Sequence, residues 1–184
     1  MKSIRQLGWD FVHNHRAFAA DILGPLFLLP LKWSEWYQDC VEIYSRLDVK
    51  GRHVLDLGSD FGTTPMFFIG KGAKEVIGFS LEEAYYMHRN YTHYVVDKIP
   101  DSGDDINDIL MCTHYTRNDV LKIDAEGLEW TIYPSTISYF HDWIIALHKP
   151  ILNPELYEWI KENGELIATK GTEEFAVYQK RKTI

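Results

Sequence analysis

Gly58 and Gly62 close a five-residue stretch, with Ser59, Asp60 and Phe61 between them, directly after the apolar run HVLDL and ahead of TTPMFFIG. Glycines in that position let a backbone close on a ligand at the start of a helix. What lies between them selects the ligand. A carboxylate at Asp60, roughly 4 Å from a phosphate charge, would cost on the order of 4 kcal/mol at an effective dielectric of about 20. The third glycine of a dinucleotide turn is also absent at the needed spacing. The turn therefore disfavours a diphosphate and suits a ligand with a positive or zwitterionic end, and Asp56 is placed to accept from an ammonium or to pin the turn's amides. A second group of reactive types is Asp124 and Glu126, which end one apolar run, and His148, which ends the next. Two carboxylates and an imidazole can serve as a general base, with Glu126 or His148 in that role, or hold a divalent ion. They lack tight ligand spacing, and no metal is assigned. A hydrogen-bonded turn fixing Gly127 accounts for Asp124 and Glu126 as well, and a satisfied core histidine for His148.

The elements that would position these groups are legible from period and punctuation. HVLDL and EVIGF read as strands around a helix with Pro65 in its first turn and GKGA at its end, which makes a βαβ unit with parallel pairing. DVLKID and DWIIAL read as further buried strands, NPELYEWIKENG as a helix stopped by Gly164, and ELIAT and FAVYQ as an antiparallel hairpin. Behind Ser34, the apolar positions Trp36, Tyr37, Cys40, Val41, Tyr44 and Leu47 predict a packing helix. A tyrosine-rich helix is predicted over residues 82–94 and a short one from Ile106, leaving no recognisable third strand between Tyr94 and Ile106. The fold class is α/β, an open, doubly wound, mostly parallel sheet with a C-terminal antiparallel hairpin and a reduced third-strand region. Ligands in such sheets bind beyond the carboxyl ends of the strands where the order reverses, which is where the glycine turn should lie.

The totals narrow the class further. With 184 residues and 46% apolar composition, the chain suits one domain, 1–184, with a helical extension over 1–50 and an α/β core over 51–184. A balance of 19 basic against 27 acidic residues, net −8, argues against a nucleic-acid partner. Cys40 and Cys112, without CxxC spacing, read as thiols in a reducing compartment. The apolar stretch ILGPLFLLPLKW is too short to span a bilayer and carries Pro25 and Pro30, and the polar start lacks signal-peptide character. The expectation is a cytoplasmic protein that does not engage a membrane. GPLFLLPLKW could pair two chains in a homodimer or pack internally.

VLDLGSDFG resembles the first motif of class I S-adenosylmethionine-dependent methyltransferases, and VLKIDAEGLE is similar to a motif of their FkbM-like subgroup, close to D-x-G-A-N-x-G followed by K-I-D-x-E-G-x-E. The resemblance covers about Arg52 to Gln179. It implies a Rossmann-like methyltransferase fold, S-adenosyl-L-methionine as cofactor, and a small-molecule acceptor. It implies further that Asp56, Gly58, Ser59, Asp60 and Gly62 surround the methionine half of the cofactor, and that Asp124, Glu126 and Gly127 line the floor below its methyl group. The chain departs from the pattern at Ser80, where the family usually places an acid for the ribose hydroxyls, with Glu82 as a substitute. It departs again at Ala146, where a glutamate tends to precede the histidine. IYPST does not resemble the motif of amino-group methyltransferases, which favours an oxygen acceptor. A methyltransferase-fold protein that has lost its cofactor and acts as a binding or scaffold module is the rival expectation.

Overall fold

The computed structural model describes residues 40–59, 62–80, 89–95, 119–170 and 173–179. The first apolar run forms β1 (His53–Leu57), followed by α1 (Thr63–Gly70) and β2 (Glu75–Ser80). Pro65 sits in the first turn of α1, where its missing N–H has no intrahelical partner to lose. Next come β3 (Tyr91–Val95), β4 (Val120–Ile123), a 3₁₀ turn at Leu128–Thr131, α2 (Pro134–Ile137) and β5 (Asp142–His148). The chain then runs through α3 (Pro154–Asn163), β6 (Glu165–Lys170) and β7 (Glu173–Gln179). At the start of α3 the Asn153 side chain accepts from Leu156 N at 3.0 Å, which satisfies one of the helix's orphan amides.

These strands form one seven-stranded sheet in the order β3-β2-β1-β4-β5-β7-β6. The first five pair in parallel, and β7 lies antiparallel between β5 and β6. Strand alternation divides the core into two clusters. Val54, Val120, Ile144, Ala146, Phe175 and Val177 pack with Phe67 and Phe68 of α1 and with Cys40, Ile43, Tyr44 and Leu47 ahead of β1. Leu55, Leu57, Leu121, Ile123, Ile145 and Leu147 face the opposite way and pack with Trp130, Leu156 and Ile160. Both faces of the central strands are therefore apolar, as near-continuous hydrophobic runs require. The chain builds outward from β1 through β2 to β3 and then returns to lay β4 on the other side of β1. The order reverses between β1 and β4, so their carboxyl ends flank the crevice where such sheets hold ligands.

Two sequence expectations change. A third strand is present: Tyr91–Val95 pairs in parallel with β2 from Val76↔Tyr91 to Ser80↔Val95, in a stretch read as the end of a tyrosine-rich helix. YTHYV combines β-branched and aromatic residues, and pairing with an open strand edge decides between periods that tyrosines at 85, 86, 91 and 94 leave ambiguous. The packing helix ahead of β1 ends in a 3₁₀ turn, Tyr44–Arg46; Val41, counted in its apolar stripe, is exposed, whereas Cys40, Tyr44 and Leu47 are buried. Residues 22–33, the short helix from Ile106, Asp60, Glu82 and Cys112 lie outside the described residues.

Candidate active site

The turn after β1 is built by close approach. Gly58 has φ +78°, and a Cβ placed on it would lie 1.6 Å from the carbonyl oxygen of Asp124. Only glycine permits that contact, which brings the loop after β1 against the loop after β4. Asp124 N donates to Leu57 O at 2.9 Å and locks the same junction. Gly58 N and Ser59 N both donate to Phe79 O, at 2.9 and 3.0 Å, and Gly62 N donates to Ser59 O at 2.9 Å. These amides are committed inside the protein and are not available to cradle a pyrophosphate, a reason independent of Asp60 for setting aside a dinucleotide. Ser59 is buried beneath the turn, where Tyr91 Oη donates to its hydroxyl at 3.5 Å. Ser80 is buried at the carboxyl end of β2.

Asp56 lies beneath the turn. It is fully buried and registers against Lys122 of β4, whose Nζ stands 2.9 Å from its Oδ1. Lys122 also donates to Gly58 O at 2.6 Å and lies 5.4 Å from the centre of the Tyr44 ring. Burial alone would lower the lysine's pKa, but the Asp56 carboxylate, then Asp124, more than reverse this and hold it above the usual lysine value. Asp56, expected from sequence to accept from an ammonium or to pin the turn's amides, is a buried counter-ion to Lys122 beneath the turn.

Asp124, Glu126 and His148, expected to converge, do so. Asp124 Oδ2 accepts from Tyr44 Oη at 2.5 Å, and its Oδ1 is 3.5 Å from His148 Nε2. Burial, then the neighbouring Asp124 carboxylate, push the Tyr44 phenol well above the usual tyrosine range, so it remains a donor. Glu126, in left-handed backbone at φ 53°, places Oε2 3.8 Å from His148 Nε2, and Glu173 of β7 approaches the same nitrogen at 3.8 Å. On the other side of the ring, buried Glu129 accepts from His148 N at 2.8 Å and pairs with Nδ1 at 3.0 Å through Oε1. Its Oε2 accepts from Gly127 N at 2.9 Å. The hydrogen bond to Glu129 raises the imidazole; burial opposes it, the charges of Glu129, Asp124 and Glu126 add to it, and the result is about 9. His148 is therefore an imidazolium at neutral pH and cannot act as the base there. No three His, Cys, Asp or Glu among the described residues gather in a metal-holding arrangement.

Three members of this site had no role assigned from sequence. Glu129 could have been found as the last acid of the E-G-x-E pattern, and Lys122 as the one charge inside the apolar run VLKI. Tyr44 could not, because nothing local links a residue before β1 to the end of β4.

The fold and the site define an open α/β protein with carboxylates gathered around an imidazole at the reversal point of its sheet. No family model matches the chain. It is 31% identical over 109 residues to "Uncharacterized protein 158B" of Sulfolobus islandicus rod-shaped virus 1, a match covering 57% of this chain and 66% of that protein, just under two thirds of its length. It is 22% identical over 138 residues to "Uncharacterized protein 65" of Sulfolobus islandicus filamentous virus (isolate Iceland/Hveragerdi), covering 72% of this chain and 77% of that one. Among solved structures, it is similar to a ribosomal protein L11 methylase from Lactobacillus delbrueckii subsp. bulgaricus, at TM-score 0.49 and 14% identity over 74% of each chain. It is likewise similar to Aeropyrum pernix fibrillarin with bound S-adenosyl-L-methionine, at TM-score 0.48 and 12% identity over 79% of this chain and 74% of that one. At TM-scores below 0.5 neither likeness bears on what this chain does.

Proposed function

We propose that this chain is an S-adenosyl-L-methionine-dependent methyltransferase of FkbM-like type that methylates a hydroxyl of a small molecule or sugar. The observation that carries the reading is the contact between Gly58 and Asp124, which joins its two motif segments at the sheet's reversal point. The residues present suit the cofactor's charges. Asp124 and Glu126 present carboxylates toward a cationic sulfur. Thr63, at the first position of α1, holds a buried hydroxyl with no hydrogen-bond partner, ready for the ligand's amino-acid end. Gly58, Ser59 and Gly62 shape the turn, Asp60 belongs to it by motif, and Ser80 with Glu82 would meet the ribose. Bound there, the cofactor supplies an electrophilic methyl group. His148 Nε2–H, buried and without a hydrogen-bond acceptor, donates to the acceptor's oxygen and orients it, and Asp124 Oδ1 takes the hydroxyl proton as the oxygen attacks. Glu126, largely exposed at the rim, is the alternative base.

Ser80 at the β2 end, in place of an acid, favours the rival reading of a binding or scaffold module without cofactor. Thermal unfolding with S-adenosylmethionine, S-adenosylhomocysteine and NAD in parallel separates the two. A ligand at about 100 times its dissociation constant stabilises the folded chain by roughly 2.7 kcal/mol, a resolvable shift in melting temperature. Either adenosyl ligand is expected to raise it and NAD to leave it unchanged; a response to NAD alone removes the methyltransferase reading, and no response to any favours the module.

A further inference from the structure

Lys122 is almost completely buried in the middle strand pair of a parallel sheet, a position that an apolar residue would fill without the desolvation cost of several kcal/mol that a buried ion carries. Its contacts on β1 fall on consecutive residues. Nζ is 2.9 Å from Asp56 Oδ1, 3.4 Å from Leu57 O and 2.6 Å from Gly58 O, so the ammonium's donors all point to the last stretch of backbone before the glycine turn. The shortest of these holds the carbonyl of the residue whose Cα leaves no room against Asp124. With that carbonyl drawn down, the plane of the peptide joining Gly58 to Ser59 is set, and with it the Ser59 amide that donates to Phe79 O; the longer contact to Leu57 O bears in the same way on the peptide that carries Gly58 N. The pair also neutralises Asp56, so the negative charge near the turn comes from Asp124 and Glu126 rather than from the strand beneath it.

We propose that Lys122 is a positioning residue for the cofactor turn, holding Gly58 in the conformation that receives the adenosyl ligand and thereby setting affinity. This rests on the cofactor assignment above. The double variant Asp56→Asn/Lys122→Met removes both charges together and leaves no unpaired buried ion, so it is expected to unfold within a few degrees of the unaltered chain. Its affinity for S-adenosylhomocysteine, measured by calorimetry, is expected to fall by about tenfold or more, and amide hydrogen exchange over residues 57–62 to quicken without change in β5 or β7. Asp56→Asn/Lys122→Gln keeps a side-chain donor, again without an unpaired buried ion, and is expected to recover affinity to within about threefold. A folded Asp56→Asn/Lys122→Met variant that binds as tightly as the unaltered chain overturns the proposal, and so does Asp56→Asn/Lys122→Gln binding as weakly as Asp56→Asn/Lys122→Met. Should the unaltered chain itself bind no adenosyl ligand, the cofactor assignment fails. Exchange then decides the role of Lys122: local quickening at residues 57–62 supports the clamp, and unchanged protection removes it.

Discussion

At the scale of residues, the site depends on one imidazole held between acids from several elements. Glu129 fixes its Nδ1 side, while Asp124, Glu126 and Glu173 face Nε2. Because the folded pKa of His148, about 9, lies above the unfolded value of 6.5, the native state binds more protons between those pH values. The stabilisation is complete below pH 6.5 and is lost as pH rises through about 9. Urea unfolding across that window should show stability falling by on the order of 2 kcal/mol after solvent screening, and His148→Gln should flatten the curve. Glu129→Gln should bring the imidazole's NMR titration down toward the ordinary histidine value, since it removes the largest raising influence. A titration midpoint left near 9 would mean that the other carboxylates hold the proton.

At the scale of elements, the decisive contact is backbone against backbone. A methyl group at Gly58 meets the Asp124 carbonyl, which belongs to a loop tied to β1 by the Asp124 N to Leu57 O bond and cannot move aside. Gly58→Ala also forces a side chain into left-handed backbone. Destabilisation of about 4 kcal/mol or more is expected, read as loss of soluble protein or a sharply lower melting temperature; a mild effect would show that the two loops can part. The same scale explains the order of the hairpin. Phe175, Ala176 and Val177 of β7 are buried, so they suit an interior strand, whereas Leu166 of β6 is exposed and suits the edge.

At the scale of the whole molecule, the net charge of −8 sets what the surface attracts. A polyanion gains from lysines and arginines grouped to release its counter-ions, and this chain's excess is acidic. Fluorescence anisotropy with a labelled single-stranded RNA at physiological salt should show no saturable binding. Saturable binding that weakens steeply with salt would replace the small-molecule acceptor with a nucleic acid. No helix among the described residues is long and apolar enough to cross a membrane.

The amino-acid sequence by itself determined the local pieces. HVLDL, EVIGF, DVLKID and DWIIAL declare strands as short, mainly apolar runs, Pro65 and Asn153 mark helix starts, and the paired motifs around Gly58 and Asp124 mark the strand ends to watch, because each depends on neighbours a few residues away. Tertiary structure alone decided three things. It made YTHYV a strand by offering it the edge of β2, set Lys122 beside Asp56 as a buried partner, and enclosed His148 with Glu129 and its neighbours so that the imidazole holds its proton more tightly. Pairing partners and charge states depend on groups far apart along the chain, and a one-dimensional pattern carries no record of which of them will meet.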